Sequence, residues 1–307
     1  MNATFRQELE RLMGGDVLFD EPLSRHTSMG VGGPAQALVF PRNREQLRDL
    51  LSFLIRNEIP YVPVGNWTNL IVRDGGFRGV VIGLKHMNDS RLLQDSSGDL
   101  LLRAEAGASL SDLVNLSASE GLTGLEFCAG IPGSVGGAVI MNAGAYGREI
   151  KDALAELTLM DARGMARTWS CSQLHFEYRH FVLPEKDAVI LDATFRLSRS
   201  NKELVKEKIA GIRKVRKGKH PLEYRSAGSV FKNPPGHPAG KIIDESGLKG
   251  LQIGGARVSE KHGNFIVNMG EAKARDILDL IRIIQDKVLS ERGIRLEAEV
   301  ITIGEDL

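Results

Sequence analysis

A glycine-rich segment in the middle of the chain decides how the sequence is interpreted. It runs Gly130-Ile131-Pro132-Gly133-Ser134-Val135-Gly136-Gly137, with four glycines in eight residues. It lies within a longer stretch, residues 121–147, that holds eight glycines. A tight turn needs only one or two, so this density predicts a loop whose bare backbone N–H groups can approach a bound anion.

Two further loops have the same character. The first, Gly65-Asn66-Trp67-Thr68-Asn69-Leu70, directly follows a predicted strand. The second, Asn142-Ala143-Gly144-Ala145-Tyr146-Gly147, extends the central glycine-rich segment. Thr68 and Ser134 can add hydroxyl donors to those of the backbone. The loops together predict a cradle for a diphosphate, and the alternative is that each is only a tight turn.

Two better-known motifs fit poorly. Residues 30–35 match G-x-G-x-x-A, but no strand precedes them and a strand-like stretch follows, which is wrong for a Rossmann fingerprint. Residues 229–232 match the S-x-x-K box of acyl-transfer enzymes, but its companion boxes are absent. Ser229 nevertheless stands beside Lys232 and Asn233, where it could donate a proton, clamp a ligand or lie on a solvated turn.

The composition excludes several classes of protein. Glycine makes up 34 of 307 residues, the formal net charge is +1, and the two cysteines, Cys128 and Cys171, are far apart. A near-neutral chain does not favour a nucleic-acid partner. No apolar run reaches the ~18 residues of a membrane span, and the start lacks the layout of a secretory signal. The seven histidines form no metal-binding signature. We expect a cytoplasmic protein without a metal site.

Hydrophobic periodicity predicts a chain of mixed helices and strands. Predicted strands are Gln36–Phe40, Pro60–Val64, Val80–Ile82, Leu100–Glu105, Ala155–Met160, Val189–Leu197 and Arg295–Ile303. Helices are expected after the caps Asn43 (with Gln46) and Ser109 (with Asp112), at Lys202–Lys219 and at Glu271–Glu291. The first 85 residues thus read as β-α-β-β, and residues 161–164 as a hairpin turn.

Charged residues mark the last third of the chain. Eight of the 18 residues in Lys202–Lys219 are basic. This segment is either a solvated helix face or a helix whose end faces an anionic substrate. Near the terminus, Glu297 and Glu299 alternate along a predicted strand and so share one face. That face is either solvated, or one carboxylate pairs with a cation such as Arg179.

Taken in order, these blocks resemble the UDP-N-acetylenolpyruvoylglucosamine reductases, bacterial flavoenzymes of peptidoglycan precursor synthesis. The resemblance covers nearly the whole chain. Its blocks are residues 27–33, 65–70, 130–147, 178–179, 226–234, 239–244, 258–268 and 296–300. The chain departs from the family pattern at Trp67, where glycine is common, at Thr68, where serine is common, and at Tyr224-Arg225.

The resemblance implies an α+β fold of the family's short-chain second structural type. A two-subdomain FAD-binding region of the vanillyl-alcohol-oxidase type precedes a C-terminal α+β substrate-binding domain. We expect the domain ranges 1–84, 85–199 and 200–296, with the last strand, 297–307, returning to the first domain. The implied cofactor is non-covalent FAD. NADPH and a UDP-sugar are the implied partners of a monomer that binds neither nucleic acid nor membrane.

The family's reaction sends a hydride from NADPH through FAD to the terminal methylene carbon of an enolpyruvyl ether. A proton then reaches the adjacent carbon. The resemblance assigns Arg179 and Glu299 to stabilising the intermediate enolate and Ser229 to supplying the proton. The implied cofactor-binding residues are Gly65, Asn66, Trp67, Thr68, Asn69, Gly130, Ile131, Pro132, Gly133, Ser134, Gly136, Gly137, Asn142, Ala143 and Gly144. The implied substrate-binding residues are Tyr178, Lys219, Asn233 and Asn264.

Two other functions compete with this one. Another flavin oxidoreductase of the same fold, such as a hydroxy-acid oxidase, would reduce oxygen and ignore NADPH. A non-catalytic flavin-binding module would keep the glycine loops without needing Arg179, Ser229 and Glu299.

Overall fold

The computed structural model describes residues 3–94 and 100–307. Helices in these ranges are α1 (Ala3–Met13), α2 (Arg44–Arg56), α3 (Leu110–Ser119), α4 (Val135–Ile140), α5 (Lys202–Lys219), α6 (Ala239–Glu245) and α7 (Ala274–Arg292). Short 3₁₀ turns lie at Leu23–Arg25, Glu126–Cys128, Ile150–Asp152 and Cys171–Gln173. None of the helices described is both long and apolar enough to span a membrane.

The strands are mostly short. In chain order they are β1 (Val17–Pro22), β2 (Pro34–Val39), β3 (Tyr61–Val64), β4 (Leu70–Val72), β5 (Phe77–Gly83), β6 (Ser90–Gln94), β7 (Leu100–Glu105), β8 (Leu122–Thr123), β9 (Gly144–Ala145), β10 (Arg148–Glu149), β11 (Leu154–Met160), β12 (Ala166–Ser170), β13 (His175–Glu177), β14 (His180–Val182), β15 (Val189–Arg199), β16 (Arg225–Ser226), β17 (Gln252–Ile253), β18 (Ala256–Val258), β19 (Ile266–Asn268) and β20 (Ile301–Ile303).

Tertiary contacts divide the chain into two compact units. Unit 1 comprises residues 1–19, 37–66 and 79–214, and unit 2 comprises residues 20–36, 67–78 and 215–307. Because both units are assembled from separate stretches, the chain passes between them within β1, β2, β5 and α5, and after Asn66. The division into three domains predicted from the sequence stays a prediction.

Unit 1 contains a large antiparallel sheet. Its main sheet has the order β12-β11-β15-β7-β6, and β8 also pairs with β15. A second sheet has the order β1-β2-β5-β3, in which β3 and β5 run parallel. Leucines at helical spacing on α2, from Leu47 to Leu54, are buried in the core of this unit. Burial of such a face supplies most of the stability of an amphipathic helix.

Unit 2 has a core of its own. The antiparallel sheet β16-β19-β18-β17 packs against α7, whose Ile277, Ile281, Ile284 and Val288 are buried at helical spacing. Strand β20 pairs in parallel with β4, so the end of the chain lies beside residues 70–72. The mixture of helices with largely antiparallel sheets confirms the predicted α+β class.

Local sequence signals placed several helix ends correctly. The Asn43 side chain accepts the Gln46 amide at 2.8 Å, while the Gln46 side chain accepts the amide of Arg42. Ser109 caps α3 through the amide of Asp112. Gly293 ends α7 with φ of 66°, a left-handed conformation that glycine adopts at little cost.

Three predictions were wrong at their edges. Helix α1 and strand β1 precede the first predicted strand, so the opening is not β-α-β-β. Helix α7 begins at Ala274, three residues after the predicted start at Glu271, because the carboxylate of Asp74 accepts the Ala274 and Arg275 amides. The last strand is only β20, because residues 295–300 contribute a single bridge, Ala298 to Phe231, and no ladder.

Candidate active site

Two of the glycine loops meet in unit 1. Ser134 caps α4, and its Oγ accepts a hydrogen bond from the Gly137 amide at 3.3 Å. A Cβ atom added to Gly65 would overlap this Oγ. The backbone of the first loop therefore lies directly against the cap of the second, and only glycine fits at position 65.

The central loop rests on the backbone of the segment after β7. The amides of Val135 and Gly136 donate to the carbonyls of Ala108 and Ala106 at 2.9 and 2.8 Å. A Cβ on Gly136 would lie 2.8 Å from the Ala106 methyl group. Gly130 is exposed and has φ of 77°. The result is a fixed surface of bare backbone with few side chains, which suits the phosphates of a dinucleotide such as FAD.

Trp67 has a left-handed backbone with φ of 56°, a conformation that costs an ordinary residue about 1 kcal/mol and glycine almost nothing. This conformation explains why glycine would be favoured at that position. Its carbonyl accepts the Ser28 amide at 3.1 Å, and its ring tilts against His26 at a centroid distance of 5.5 Å. The indole therefore has a place within unit 2, so the fold accommodates this departure from the family pattern.

Other residues predicted to bind cofactor lie in varied surroundings. Asn66 and Pro132 are exposed, whereas Thr68, Ile131, Gly133 and Ala143 are half-buried. Asn142 is fully buried, and its amide donates to Glu149 Oε2 and to the Glu177 carbonyl at 2.9 and 3.0 Å. The Asn142 side chain thus serves the local fold.

Arg179 occupies a strained position in unit 1. Strands β13 and β14 form a hairpin in which Tyr178 and Arg179 are the two turn residues. Arg179 has φ of 58°, the left-handed region that a non-glycine residue rarely adopts. Such strain persists where the surroundings over-determine it, and it concentrates at functional sites. Two-residue hairpin turns commonly require such a φ, so the turn fixes where the Arg179 side chain begins.

The guanidinium of Arg179 is held from several sides. Its Nη2 donates to the carbonyl of Gly144 at 2.8 Å, and Nη1 lies 3.8 Å from Glu149 Oε1. The exposed ring of Tyr178 lies 4.7 Å from Cζ. The side chain is only 15% exposed, so a largely buried cation is fixed in one orientation.

Ser229 and Glu299 are brought together in unit 2. Ser229 follows Gly228, whose φ is 77°. The next residue, Val230, accepts a hydrogen bond on its carbonyl from the Glu299 amide at 2.7 Å. The carbonyl of Glu299 accepts in turn from Asn69 Nδ2 at 3.0 Å. The Ser229 hydroxyl and the half-buried Glu299 carboxyl group therefore lie on two neighbouring backbone segments, which this hydrogen bond aligns.

Asn264 clamps the segment after Ser229. Its carbonyl accepts the Val230 amide at 2.9 Å. Its side chain accepts the Phe231 amide and donates to the Phe231 carbonyl, at 2.9 and 2.8 Å. Asn264 is only 4% exposed, so its position is structural as well as adjacent to the candidate site.

The second acidic residue near the terminus has a different partner. Glu297 Oε1 lies 2.6 Å from Lys232 Nζ, and the Lys232 amide donates to the Glu297 carbonyl at 2.9 Å. The Glu297 carboxylate is 71% exposed, which makes this a surface ion pair of small net energy. Glu297 and Lys232 therefore neutralise each other, and Glu299 is the inner carboxyl group.

The predicted substrate-binding residues Lys219 and Asn233 lie at exposed positions of unit 2. Lys219 is the last residue of α5. The Asn233 side chain accepts the amide of Ala239 at 2.9 Å, at the start of α6. The structure thus places the basic end of α5 in the same unit as Ser229, while Arg179 and Tyr178 belong to unit 1.

An aromatic cluster stands beside the Asn264 clamp. The rings of His220 and His262 are 5.6 Å apart, and each lies about 5 Å from the Phe265 ring. Burial lowers the pKa of His220 to about 4, with help from nearby cations, of which Arg216 contributes most. Burial likewise lowers the pKa of His262, and Lys249 adds to the effect. Both imidazoles are therefore neutral near pH 7.

This neutrality predicts a loss of stability in acid. Above pH 6.5 neither folded nor unfolded His220 is charged, whereas between pH 6.5 and about 4 only the unfolded chain gains the proton. The wild type should lose free energy of unfolding between pH 7.5 and 4.5. In His220→Phe this loss should be smaller by about 1 kcal/mol, the size expected for a half-buried group. Urea unfolding at pH 7.5 and 4.5 measures it, with exposed His175→Asn as control. A wild-type pH dependence in His220→Phe would contradict the assignment.

Sequence reasoning missed one residue of this region. Glu149 orients Arg179 and Asn142, yet no motif singles it out. The sequence favoured His262 as a substrate-facing residue over a metal ligand, and its contact with Asn264 emerges from the fold. The only local signal at Glu149 is its position three residues before Asp152, which is typical of a residue that caps a 3₁₀ turn.

Two family models match the chain. Residues 35–170 match an FAD binding domain, and residues 220–303 match the C-terminal domain of UDP-N-acetylenolpyruvoylglucosamine reductase. The first match contains the junction of the glycine loops, and the second contains Ser229 and Glu299. Together the models confirm the predicted combination of a flavin-binding region with a C-terminal domain.

Whole-chain comparisons agree. The UDP-N-acetylenolpyruvoylglucosamine reductase of Syntrophus aciditrophicus is 51% identical over 98% of this chain and 96% of its own length. That of Caldanaerobacter subterraneus is 44% identical over 96% of each chain. The crystal structure of the reductase from Thermus caldophilus is 38% identical, with a TM-score of 0.77, over 93% of this chain and 97% of that one. The chain therefore belongs to the UDP-N-acetylenolpyruvoylglucosamine reductase family.

Proposed function

We infer that the chain is an NADPH-dependent, FAD-containing reductase. It converts UDP-N-acetylglucosamine enolpyruvate into UDP-N-acetylmuramate, a precursor of peptidoglycan. The observation that carries this inference is identity of 51% over 98% of the chain to a relative of that name. A passive flavin-binding module would have no need of an arginine held in one orientation as Arg179 is.

The residues of the glycine loops fit the proposed cofactor. Gly130 and Gly133 offer backbone without side chains to the diphosphate, while Gly65, Ser134 and the amides of residues 135–137 hold the loops in place. Asn66, Thr68 and Asn69, which follow Gly65 in the chain, are proposed as further cofactor contacts. FAD, when bound, supplies the hydride-transfer chemistry that links NADPH to the substrate.

The Gly65 contact yields a direct prediction. Gly65→Ala forces a Cβ into Ser134 Oγ, so we expect at least a tenfold weaker affinity for FAD and a stability loss of ~1–3 kcal/mol. Equilibrium titration of apoprotein with FAD and thermal unfolding measure the two effects. Gly211→Ala is the control, because Gly211 lies on α5 with open space around it and should gain stability. Equal FAD affinity in Gly65→Ala and wild type would contradict this role.

Arg179 and Glu299 are proposed to stabilise negative charge on the substrate. Addition of hydride to the methylene carbon places charge on the carboxylate end of the enolpyruvyl group. A planar guanidinium binds a carboxylate at two points, and its fixed orientation avoids reorganisation during the reaction. A bare carboxylate would oppose that charge, so Glu299 acts either protonated or through a neighbouring cation.

Ser229 is proposed to deliver the proton that completes the lactyl ether. Its hydroxyl is a weak acid, so a neighbouring group must assist it. Lys232 is engaged by Glu297, which leaves Glu299, on the adjoining backbone segment, as the stronger candidate. General acid catalysis of this kind contributes ~10²–10⁴ to the rate.

The remaining residues are proposed to hold the UDP-sugar. Lys219 lies at the basic end of α5, where its ammonium group can neutralise a diphosphate. Asn233 and Tyr178 add polar contacts, and the buried Asn264 holds the segment after Ser229 in place. Two free cysteines, one of them buried, support a cytoplasmic setting. We propose that the enzyme acts there as a monomer.

Product analysis tests the proposed function. Purified protein should be yellow, and incubation with NADPH and the enolpyruvyl sugar nucleotide should add two hydrogen atoms to the sugar nucleotide, as read by mass spectrometry. Colourless protein that gains no flavin spectrum on addition of FAD would contradict the proposal, as would a recovered substrate of unchanged mass.

A further inference from the structure

His262, which stands beside the Asn264 clamp, makes a specific hydrogen bond. His262 Nδ1 accepts the backbone amide of Asn264 at 3.2 Å. An accepting Nδ1 carries no proton, so the neutral ring must bear its proton on Nε2. The ring is confined, because a Cβ on Gly240 would lie 2.9 Å from its Cε1. The amide of His262 itself donates to Ser259 Oγ at 3.4 Å, so both ring and backbone are fixed.

Asn264 passes this constraint to the Ser229 turn. The residue whose amide His262 accepts is the same residue that binds Val230 and Phe231 through three hydrogen bonds. Val230 directly follows Ser229 and accepts the amide of Glu299. A displaced Asn264 would therefore move both the hydroxyl and the inner carboxyl group.

We propose that His262 is a positioning residue for Ser229, acting through its hydrogen bond to Asn264. The proposal rests on the proposed function, since it concerns the step in which Ser229 delivers a proton. His262 need not touch substrate to act in this way. Its neutral ring holds the Asn264 amide, and protonation of Nδ1 would turn that acceptor into a donor facing another donor.

The surroundings of His262 favour the neutral form. The charges of Lys219, at the end of α5, and of Lys249, in the loop after α6, act on this ring. The neutral His220 ring lies 5.6 Å from it, and the neighbouring Lys261 lies 3.8 Å from Glu223. An acidic partner of Lys249, at 2.6 Å, is Asp244. Burial lowers the pKa of His262 below its ordinary value of 6.5, and Lys249 and Lys219 add to the effect, so the interaction fails only in acid. Substrate reduction should therefore fall in acid in the wild type.

Two substitutions separate the hydrogen bond from the bulk of the ring. In His262→Asn the side-chain oxygen can replace Nδ1 as acceptor but cannot be protonated in this range. We expect its rate of enolpyruvyl reduction at pH 8 to lie within about threefold of wild type. The part of the decrease in this rate at acidic pH that is caused by protonation of His262 should be absent. In His262→Phe the acceptor is lost, and we expect a fall of about 10 to 10² at every pH, because small displacements of reacting groups are costly.

Two controls accompany these variants. Reduction of bound FAD by NADPH should be unchanged in both, since Ser229 takes no part in it. The exposed His175→Asn should behave as wild type in every assay. A second readout, hydrogen exchange of the Asn264 amide in the holoprotein, needs no turnover. Its protection factor should drop in His262→Phe, and it should decline in acid for wild type but not for His262→Asn.

The outcomes are distinct. Wild-type rates of enolpyruvyl reduction in His262→Phe, or unchanged Asn264 protection in that variant, would overturn the proposal. So would an acid fall in His262→Asn as large as that of wild type. An inactive wild-type protein would instead refute the proposed function, while the exchange experiment would still decide whether His262 holds Asn264.

Discussion

Ser229→Ala should allow NADPH to reduce the bound flavin at the wild-type rate, yet slow reduction of the enolpyruvyl substrate by ~10²–10⁴. The substitution removes only an oxygen atom. The backbone hydrogen bonds that fix the next residue, Val230, do not involve that oxygen. Rapid-mixing absorbance measurements of the two half-reactions separate the effects.

The matched control for this experiment is Ser290→Ala. Ser290 lies exposed on α7, where its hydroxyl donates to the Lys287 carbonyl at 2.9 Å. In Ser290→Ala the rates of both half-reactions should equal those of the wild type. If Ser229→Ala also retains both at wild-type rates, Ser229 is not the proton donor, and another group must supply the proton.

The second large effect is expected for Arg179→Lys. Lysine keeps the positive charge but loses the planar fork that can bind a carboxylate at two points. It also loses the hydrogen bond from Nη2 to the Gly144 carbonyl. We expect enolpyruvyl reduction to fall by about 10² to 10³, the usual cost of removing a preorganised donor from a developing charge.

Stability measurements show whether this loss is chemical. The free energy of unfolding should change little in Arg163→Lys, a control on the exposed turn between β11 and β12. Arg179→Lys should keep flavin binding and reduction by NADPH, because its partners Gly144 and Glu149 remain in place. Wild-type turnover in this variant would contradict the carboxylate clamp.

Features set by neighbouring residues could be predicted from the sequence. Asn43 and Ser109 cap helices through the amides of residues three positions later in the chain. The glycine-rich loop was predicted from its high content of glycine. The whole basic helix Lys202–Lys219 was also predicted, since its limits follow from local pattern.

Features set by distant residues could not be predicted. The start of α7 depends on Asp74, 200 residues earlier in the chain. The final strand shrinks to Ile301–Ile303 because only these residues find a partner in β4. Arg179 gave no local sign of its left-handed backbone, which the hairpin imposes. The site residues were identified by resemblance, and their geometry came from the fold.

The most direct test of the central claim is the dependence of NADPH oxidation on the enolpyruvyl sugar nucleotide, measured without oxygen. The account predicts that the FAD-loaded protein consumes one NADPH for each substrate molecule and stops when the substrate is exhausted. NADPH oxidation that ignores the sugar nucleotide, or that proceeds only with oxygen, would contradict it.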